Sequence, residues 1–198
     1  MNCGEIYNLC NRNMKDGLSI VGSSRSNGER EENDFYPTPP EATISLMERE
    51  KFSGLVWECA CGDGSMSKVI AEYNPVKSTD LVDRGYGNSG IDFLEQIDEV
   101  DNIITNPPYK LAKEFVLHAK RTATKKIAML CKLVFLESSG RYDMWQDTKF
   151  PLKTVYVFCK RVPIYKSGIT MKNSGLIAYA WFVWDKNYVG KPQIEWIK

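Results

Sequence analysis

The sequence has a single histidine, no apolar run of about 20 residues and almost no net charge, and each shortage excludes a class of protein. The formal net charge is +1, so the chain as a whole does not attract a polyanion, and binding to nucleic acid would need a local basic patch. With no long apolar run and a polar N-terminus, the sequence predicts neither a membrane-spanning helix nor a signal peptide. We expect a cytoplasmic protein that does not associate with membranes.

Metal ligands are equally scarce. None of the six cysteines lies in a Cys-x-x-Cys pair, and His118 is the only histidine that could join them. Cys131 and Cys159 lie inside apolar runs, where a free thiol behaves as a small hydrophobic side chain. The cysteine pattern therefore predicts a reduced protein without a structural zinc ion.

The N-terminal part of the chain has no apolar residue between positions 22 and 33. Such a segment cannot bury enough surface to offset the entropy that is lost when it becomes ordered. We therefore expect residues 1–33 to form a flexible leader and residues 34–198 to form a single domain, which is an ordinary domain size.

The rest of the sequence alternates short apolar runs with helical patterns. Strands are predicted near residues 55–59, 76–81, 102–105 and 126–131, a short strand or turn near 90–91, and helices near 38–52, 65–73 and 111–121. The first helix begins with Thr38 and Glu41 at the spacing of a capping box. Strands that alternate with helices indicate a parallel sheet covered on both faces. Two later runs, 154–158 and 176–184, have no helix between them and predict an antiparallel C-terminal strand pair. The predicted fold class is α/β, a Rossmann-like, doubly wound and mostly parallel sheet.

A glycine-rich turn follows the first predicted strand, in the pattern Glu58-x-x-x-Gly62-x-Gly64. Glycines there let the chain turn sharply and bring its backbone close to a ligand, and ligands of such sheets bind beyond the carboxyl ends of the strands. The turn is not a P-loop, because no Gly-Lys-Ser/Thr follows, and the third glycine of a dinucleotide fingerprint is missing. By its spacing alone, the turn also fits a chain reversal without a ligand.

Two acids stand at the ends of the next predicted strands. Asp80 follows the second strand, where a carboxylate accepts hydrogen bonds from ribose hydroxyls, and Asp83 is close enough to take that role instead. Asp92-Phe93 follows the third strand, where an acid can bind an adenine amino group while an aromatic ring packs on the base. Either acid alone also fits a solvated loop residue.

The tetrapeptide Asn106-Pro107-Pro108-Tyr109 lies between a predicted strand and a predicted helix. The amino nitrogen of adenine is a poor nucleophile because its lone pair is delocalised, and two acceptors that hold its N–H groups would localise that pair. Asn106 offers an uncharged carbonyl, and Pro107 offers a backbone carbonyl with no competing N–H, in a direction that Pro108 helps to fix. Tyr109 offers a flat face to a base swung out of a duplex. The tetrapeptide predicts catalysis by orientation and electrostatics without a strong base, or else a tight turn.

Taken together, these motifs resemble one known family. The set comprises Phe35-Tyr36-Pro37-Thr38, Glu58-Cys59-Ala60-Cys61-Gly62-Asp63-Gly64, Asp80, Asp92-Phe93 and Asn106-Pro107-Pro108-Tyr109. It is similar to the DNA N6-adenine methyltransferases, and most of all to their small forms from bacteriophages and mobile elements, over about residues 34–184. The resemblance implies a class I methyltransferase fold, S-adenosylmethionine as cofactor, adenine in DNA as substrate, and the tetrapeptide as the catalytic site.

The resemblance also implies a set of cofactor-binding residues. They are Phe35, Tyr36, Thr38, Glu58, Ala60, Gly62, Gly64, Asp80, Asp92 and Phe93. In this family the Phe-Tyr-Pro-Thr element packs on the methionine end of the cofactor. An aromatic face at Phe35 or Tyr36 near a sulfonium cation is consistent with that role. By its local pattern alone, this element also fits a plain helix entry.

Basic residues are concentrated in the sequence after the tetrapeptide Asn106-Pro107-Pro108-Tyr109, which we call the catalytic turn. The predicted nucleic-acid contacts are Lys110, Lys113, Arg141, Lys160, Arg161, Tyr165 and Lys166. Basic side chains at the rim of the site would neutralise phosphates. Lys120, Lys125 and Lys126 extend the group along one helix, although charged helix faces are often only solvated.

The motif order resembles that of family members with a target-recognition domain after the catalytic turn, but little chain remains here for such a domain. We therefore expect target recognition through short loops, through a protein partner, or with loose specificity. Three alternatives stay open: methylation of an RNA base amino group, methylation of a protein glutamine amide, and a non-catalytic module that binds cofactor or DNA. Methylation of cytosine is disfavoured, because those enzymes usually have serine in place of Asn106.

Overall fold

One sheet organises the part of the chain that the computed structural model describes, residues 35–164 and 177–198. Its strands are β1 (Val56–Glu58), β2 (Val76–Ser78), β3 (Val100–Thr105), β4 (Ala123–Lys132), β5 (Leu152–Phe158), β6 (Tyr179–Asp185) and β7 (Gln193–Ile197). They lie in the order β2-β1-β3-β4-β6-β5-β7. The strands β1 to β4 pair in parallel, β6 is antiparallel to both of its neighbours, and β7 is parallel to β5. The carboxyl ends of β1 to β4 therefore meet at one edge of the sheet.

Helices cover both faces of this sheet. They are α1 (Pro40–Met47), α2 (Ser65–Ile70), α3 (Ala112–Thr122) and α4 (Tyr142–Trp145). Side chains alternate along a strand, so β4 places Ile127 and Met129 in the apolar cluster with α3 and α4, and Ala128 and Leu130 in the cluster with α1 and α2. A strand buried on both faces needs consecutive apolar residues, which is why β4 reads as a continuous apolar run. The predicted α/β fold class is confirmed. No helix in the described ranges is long and apolar enough to cross a membrane.

The first helix differs from its prediction. It runs from Pro40 to Met47 rather than to about position 52, its N-cap is Pro39, and no side chain caps it. The predicted capping box is therefore wrong. The hydroxyl of Thr38 instead accepts a hydrogen bond from the side-chain amide of Asn106.

The segment after β2 forms a loop, so the structure has the turn and not the strand of the two alternatives predicted near residues 90–91. Within the described chain, the pairing that follows β2 is an isolated bridge between Thr79 and Asn88. Three glycines between positions 85 and 90 explain the difference, since glycine weakens a strand and favours turns. This loop carries the acids that the sequence assigned to the cofactor.

The predicted antiparallel strand pair is present as β5 and β6, and β6 lies between β4 and β5. The predicted start of the last strand at residue 176 lies outside the described residues. An additional strand, β7, forms the edge of the sheet. Four of its five residues are exposed, and the short alternation of apolar Ile194 and Trp196 with polar neighbours was not recognised as a strand.

Candidate functional site

The predicted cofactor and catalytic motifs meet at the carboxyl edge of the sheet. The glycine turn follows β1, Asp80 follows β2, and Asn106 follows β3. Because β6 runs in the opposite direction, it begins at this same edge, where Tyr179 is paired with Lys132, the last residue of β4. Neither Lys132 nor Tyr179 was singled out by the sequence, since sheet register rather than a local motif brings them here.

The glycine turn needs glycine for two separate reasons. Gly62 and Gly64 have left-handed φ values of 55° and 78°, a region that disfavours other residues. A Cβ on Gly62 would lie 2.3 Å from the ring of Phe35, and one on Gly64 would lie 2.4 Å from the ring of Tyr86. The turn therefore brings two aromatic rings directly against the backbone at the end of β1.

The two predicted ribose acids differ in their contacts. Asp80 accepts hydrogen bonds from the backbone N–H of Gly62 at 2.8 Å and of Val82 at 2.9 Å, so it joins the end of β2 to the glycine turn. Asp83 accepts from the backbone N–H of Gly85 at 2.9 Å, within its own loop. Of the two acids, Asp80 is the one tied to the turn, which favours it as the cofactor residue.

The adjacent residues Asp92 and Phe93 lie in different environments in the structure. Asp92 is partly exposed and accepts a hydrogen bond from the backbone N–H of Leu94 at 2.9 Å. Phe93 is 2% exposed and packs edge-on against Trp57 and tilted against Phe115, inside the apolar core. The packing of Phe93 on a cofactor base stays a prediction, and this burial makes it less favourable.

Glu58 is also buried, at the end of β1, with an exposed fraction of 2%. It accepts a hydrogen bond from the hydroxyl of Ser67, which is itself 2.7 Å from the hydroxyl of Ser78. Burial raises the pKa of Glu58 well above its ordinary value, in spite of the hydrogen bond from Ser67. Glu58 thus links β1 to α2, its burial favours the protonated form, and a direct contact with a cofactor stays a prediction.

The side-chain amide of Asn106 is held in one orientation. Its Nδ2 donates to Thr38 Oγ1 at 3.1 Å and lies 3.4 Å from the backbone oxygen of Tyr36. Its Oδ1 is buried and has no hydrogen-bond partner among the described residues. A buried carbonyl oxygen without a partner is costly, so a donor from beyond the described residues would be favourable there.

Tyr109 is surrounded by three side chains at this edge. Its ring stacks on that of Tyr36, with ring centroids 5.7 Å apart and an interplanar angle of 24°. The Nζ of Lys132 lies over the Tyr109 ring, 4.3 Å from its centroid, and the Tyr109 hydroxyl donates to the hydroxyl of Tyr179 at 3.0 Å. Burial, followed by the nearby Tyr179, raises the pKa of Tyr109, so its hydroxyl stays protonated at neutral pH.

Phe35 contacts the glycine turn and one further basic residue. The guanidinium carbon of Arg84 lies 4.1 Å from the centroid of the Phe35 ring. Arg84 was not predicted as a site residue, because it stands in a loop without a recognisable sequence pattern. Together with the stacking of Tyr36 on Tyr109, this contact connects the Phe-Tyr-Pro-Thr element to both halves of the site.

The predicted nucleic-acid contacts fall into three groups. Lys110, Lys160 and Arg161 are exposed. Lys113 donates to the backbone oxygen of Gly140 at 2.6 Å, and Arg141 donates to the backbone oxygens of Phe135, Val134 and Glu137. Arg141 therefore fastens its own loop, which leaves few of its donors for a phosphate. Tyr165 and Lys166 lie outside the described residues.

The extension of the basic group along α3 is not supported. Lys120 pairs with Asp147 at 2.8 Å, Lys125 with Asp101 at 2.9 Å, and Lys126 with Glu50 at 2.7 Å. These lysines neutralise acids of the same chain. Lys125 and Lys126 also lie near the amino end of β4, at the edge opposite the candidate site.

Comparison with known proteins shows the fold to which this site belongs. The sequence matches no protein-family model and no curated protein. Its structure is similar to a protein described as the modification subunit of a type I restriction enzyme from Vibrio vulnificus YJ016, with a TM-score of 0.60, 16% identity, and coverage of 98% of this chain and 51% of that one. The present chain therefore spans about half the length of that subunit.

Two further solved structures are similar. One is described as an RNA methyltransferase from Pyrococcus horikoshii (TM-score 0.61, 15% identity, 88% of this chain and 97% of that one). The other is described as a class I S-adenosylmethionine-dependent methyltransferase from Listeria monocytogenes (TM-score 0.54, 12% identity, 78% and 61%). The chain shares the fold of these class I methyltransferases, as the sequence predicted.

The residues at this edge fit such a cofactor. Asp80 presents a carboxylate at the end of β2, and the rings of Phe35 and Tyr36 lie beside the glycine turn and the catalytic turn. Carboxylates accept hydrogen bonds from ribose hydroxyls, and aromatic rings attract a sulfonium cation. The buried Asn106 Oδ1 supplies an acceptor close to these groups, with no donor of the described chain bonded to it.

Proposed function

We propose that this protein transfers a methyl group from S-adenosylmethionine to the N6 amino group of adenine in DNA. The observation that carries this proposal is the buried, unpartnered Oδ1 of Asn106, held at the carboxyl edge of the sheet by Thr38. An amino group is the donor that such an acceptor needs. The adjacent Tyr109 supplies an aromatic surface for the base that carries the amino group.

In this proposal the catalytic turn makes the amino nitrogen of adenine a better nucleophile. Asn106 Oδ1 would accept one N–H of the amino group, and the backbone oxygen of Pro107 would accept the other. Both acceptors are uncharged, and together they favour a pyramidal nitrogen with a localised lone pair. The methylated nitrogen is acidic and can release its proton to water, so the site needs no strong base.

The glycine turn and its neighbours would hold the cofactor. When bound, the cofactor supplies an electrophilic methyl group attached to a sulfonium. We propose that Asp80 binds its ribose and that Phe35 and Tyr36 lie at its methionine end, with Gly62 and Gly64 leaving room for close backbone approach. The neutral state of Tyr109 keeps a negative charge away from the reacting atoms.

DNA is the substrate that the sequence resemblance favours, through the Phe-Tyr-Pro-Thr element. The likeness to a restriction-enzyme modification subunit is consistent with DNA. A second candidate is an amino group of an RNA base, because the chain also matches nearly the full length of a protein described as an RNA methyltransferase. In both cases the target base must leave its stack to reach Asn106.

Recognition of the target sequence is proposed to involve short loops or a protein partner. Lys110, Lys160 and Arg161 are exposed and are the proposed phosphate contacts among the described residues. Phosphate contacts orient a nucleic acid without reading its sequence.

Nucleoside mass spectrometry tests the reaction and the substrate together. DNA and RNA would be isolated from cells that express the wild-type protein, Asn106→Ala, or the matched control Asn187→Ala, which changes an exposed asparagine beyond the far end of β6. We expect N6-methyldeoxyadenosine in DNA with the wild type and the control, and none with Asn106→Ala, which should still bind S-adenosylmethionine in calorimetry.

The other outcomes are equally informative. N6-methyladenosine confined to RNA would support the second candidate and reject DNA. No new methylated nucleoside in either polymer, or undiminished methylation by Asn106→Ala, would reject the proposed function.

A further inference from the structure

We infer that Tyr179 is a positioning residue of the proposed site. By accepting the proton of the Tyr109 hydroxyl, it keeps that proton away from Oδ1 of Asn106 and leaves this oxygen to the substrate. The inference rests on the proposed function, since it concerns the acceptor of the same site. Tyr179 belongs to none of the motifs in the sequence.

The register of the sheet places Tyr179 beside Tyr109. Tyr179 is the first residue of β6 and pairs with Lys132 at the carboxyl edge. Tyr179 is 5% exposed, and its ring centroid lies 5.9 Å from that of Tyr109, with an interplanar angle of 41°. The hydroxyl of Tyr109 donates to the hydroxyl of Tyr179 at 3.0 Å. The proton of Tyr109 therefore points toward β6.

The Tyr109 hydroxyl has a second neighbour in Asn106. Burial raises the pKa of Tyr109 most, Tyr179 raises it further, and the side chain of Asn106 lowers it by hydrogen bonding. The Tyr109 hydroxyl is thus within reach of both side chains. The amide nitrogen of Asn106 is engaged by Thr38, whereas its Oδ1 is buried without a partner in the described chain.

The two neighbours compete for a single proton. A tyrosine hydroxyl carries one proton, and a buried hydroxyl that donates to no acceptor is unfavourable. If the Tyr179 oxygen were removed, Oδ1 of Asn106 would be an open acceptor for Tyr109 within the described residues. A hydroxyl bonded there would compete with the amino group of the substrate. Tyr179 is therefore needed for the reaction because Tyr109 has a hydroxyl.

A double-mutant cycle tests this dependence. Tyr179→Phe removes the acceptor, Tyr109→Phe removes the proton but keeps the ring, and a third variant combines both changes. The matched control is Tyr156→Phe, which also loses a buried hydroxyl bond, at 2.9 Å to Glu50, whose partner Lys126 lies at the opposite edge. Steady-state methylation of plasmid DNA with labelled cofactor gives kcat and separate KM values for DNA and cofactor.

Tyr179→Phe should lower kcat/KM for DNA about tenfold, which is the size of one net hydrogen bond, while the KM for the cofactor stays unchanged. The double variant should recover to the level of Tyr109→Phe, because a ring without a hydroxyl cannot bond to Oδ1. Tyr156→Phe should lose stability in urea titrations but keep the wild-type kcat/KM. The same titrations verify that each variant folds, and Tyr179→Leu replaces Tyr179→Phe if that variant does not.

A second readout does not depend on methyl transfer. With the cofactor site filled by S-adenosylhomocysteine, NMR titrations would compare the affinity for 2′-deoxyadenosine with that for purine 2′-deoxyriboside, which lacks the amino group. The wild type should bind the nucleoside with the amino group about tenfold more tightly, because only that nucleoside offers a donor to Oδ1 of Asn106. Tyr179→Phe should lose this preference, and the double variant should regain it.

A wild-type kcat/KM in Tyr179→Phe would overturn the inference. Losses of the two single variants that multiply in the double variant would overturn it as well, because they indicate a structural role alone. The proposed function fails separately: the expected pattern of nucleoside preference in a protein that methylates neither DNA nor RNA supports the inference and rejects the activity. A wild type that methylates neither polymer and shows no preference rejects both.

Discussion

The side-chain amide of Asn106 donates a hydrogen bond to the hydroxyl of Thr38 at 3.1 Å, which joins the catalytic turn to the segment before α1. This bond uses the amide nitrogen and leaves Oδ1 as the buried group without a partner among the described residues. The orientation of the proposed catalytic acceptor thus depends on a residue 68 positions earlier in the chain. Losing that residue should affect orientation more than folding.

Thr38→Val should lower kcat about tenfold, which corresponds to about 1.4 kcal/mol of lost transition-state stabilisation. Valine preserves the shape of the side chain but cannot accept the bond from Asn106, so the amide is free to rotate. The matched control is Thr43→Val on α1, because the hydroxyl of Thr43 is buried without a partner in the described chain. Steady-state methylation would measure both variants. Equal kcat values for Thr38→Val and wild type would show that Thr38 does not orient Asn106.

Gly62 in the glycine turn can be compared with Gly90 in the loop after β2, because both have a left-handed backbone conformation. Gly62 has φ of 55° and a Cβ there would lie 2.3 Å from the Phe35 ring, whereas Gly90 has φ of 74° and nothing within 4 Å. Alanine in a left-handed conformation costs about 1–2 kcal/mol at either position. We expect Gly62→Ala to lose more unfolding free energy than Gly90→Ala in urea titrations, and also to weaken cofactor binding in calorimetry. Similar losses for both variants would mean that Phe35 moves aside without cost.

Much of this architecture could be predicted from local pattern. Strands β1, β3 and β4 are apolar runs between helical segments, and the positions of Gly62 and Asn106 directly after strands indicated a shared edge. The edge strand β7 was missed although polar and apolar residues alternate over residues 193–196, because it has only five residues and four of them are exposed. Its position in the sheet depends on pairing with β5, and this pairing cannot be predicted from the local sequence pattern.

Contacts between distant segments could not be read from the sequence. Thr38 and Glu41 have the spacing of a capping box, but the hydroxyl of Thr38 accepts a hydrogen bond from Asn106 instead. The spacing of nearby residues cannot predict a partner that lies so far along the chain. Lys132 and Tyr179 reach the site through the register of β4 with β6. A local sequence motif identifies Asn106 and Gly62, whereas Lys132 and Tyr179 are brought to the same edge only by the pairing of two strands that are distant in the sequence.

Glu50 should contribute stability that is lost in acid. It is buried and accepts hydrogen bonds from Lys126 and Lys153, each at 2.7 Å, and from the hydroxyl of Tyr156 at 2.9 Å. Burial alone would raise the pKa of Glu50, but the two lysines outweigh it and lower the pKa below 4.5. A lowered folded-state pKa contributes stability in full above about pH 4.5, and this stability disappears as the pH falls through the folded-state value.

Glu50→Gln should therefore lose about 3 kcal/mol of unfolding free energy at pH 7, because it removes the buried carboxylate that pairs with the partly buried Lys126 and Lys153. The difference from wild type should narrow as the pH falls below 4.5. Urea titrations at several pH values would measure it, with Glu48→Gln as the control, since that side chain on the same segment is 62% exposed. A difference that is constant with pH would contradict the charged state assigned to Glu50.

Glu58 should show the opposite pH dependence. Burial raises its pKa well above 4.5, so it stays protonated in the folded protein at pH values where the unfolded chain is ionised. Folding then takes up a proton, and the stability of the wild type falls as the pH rises above about 4.5. Glu58→Gln replaces a neutral acid with a neutral amide and removes that proton uptake. Relative to wild type, its unfolding free energy should rise with pH by at most about 1.4 kcal/mol per pH unit. Urea titrations between pH 5 and pH 8 would measure the change, and Glu41→Gln, at an exposed position, is the control. If the unfolding free energies of Glu58→Gln and wild type changed in parallel with pH, Glu58 would be ionised in the folded protein.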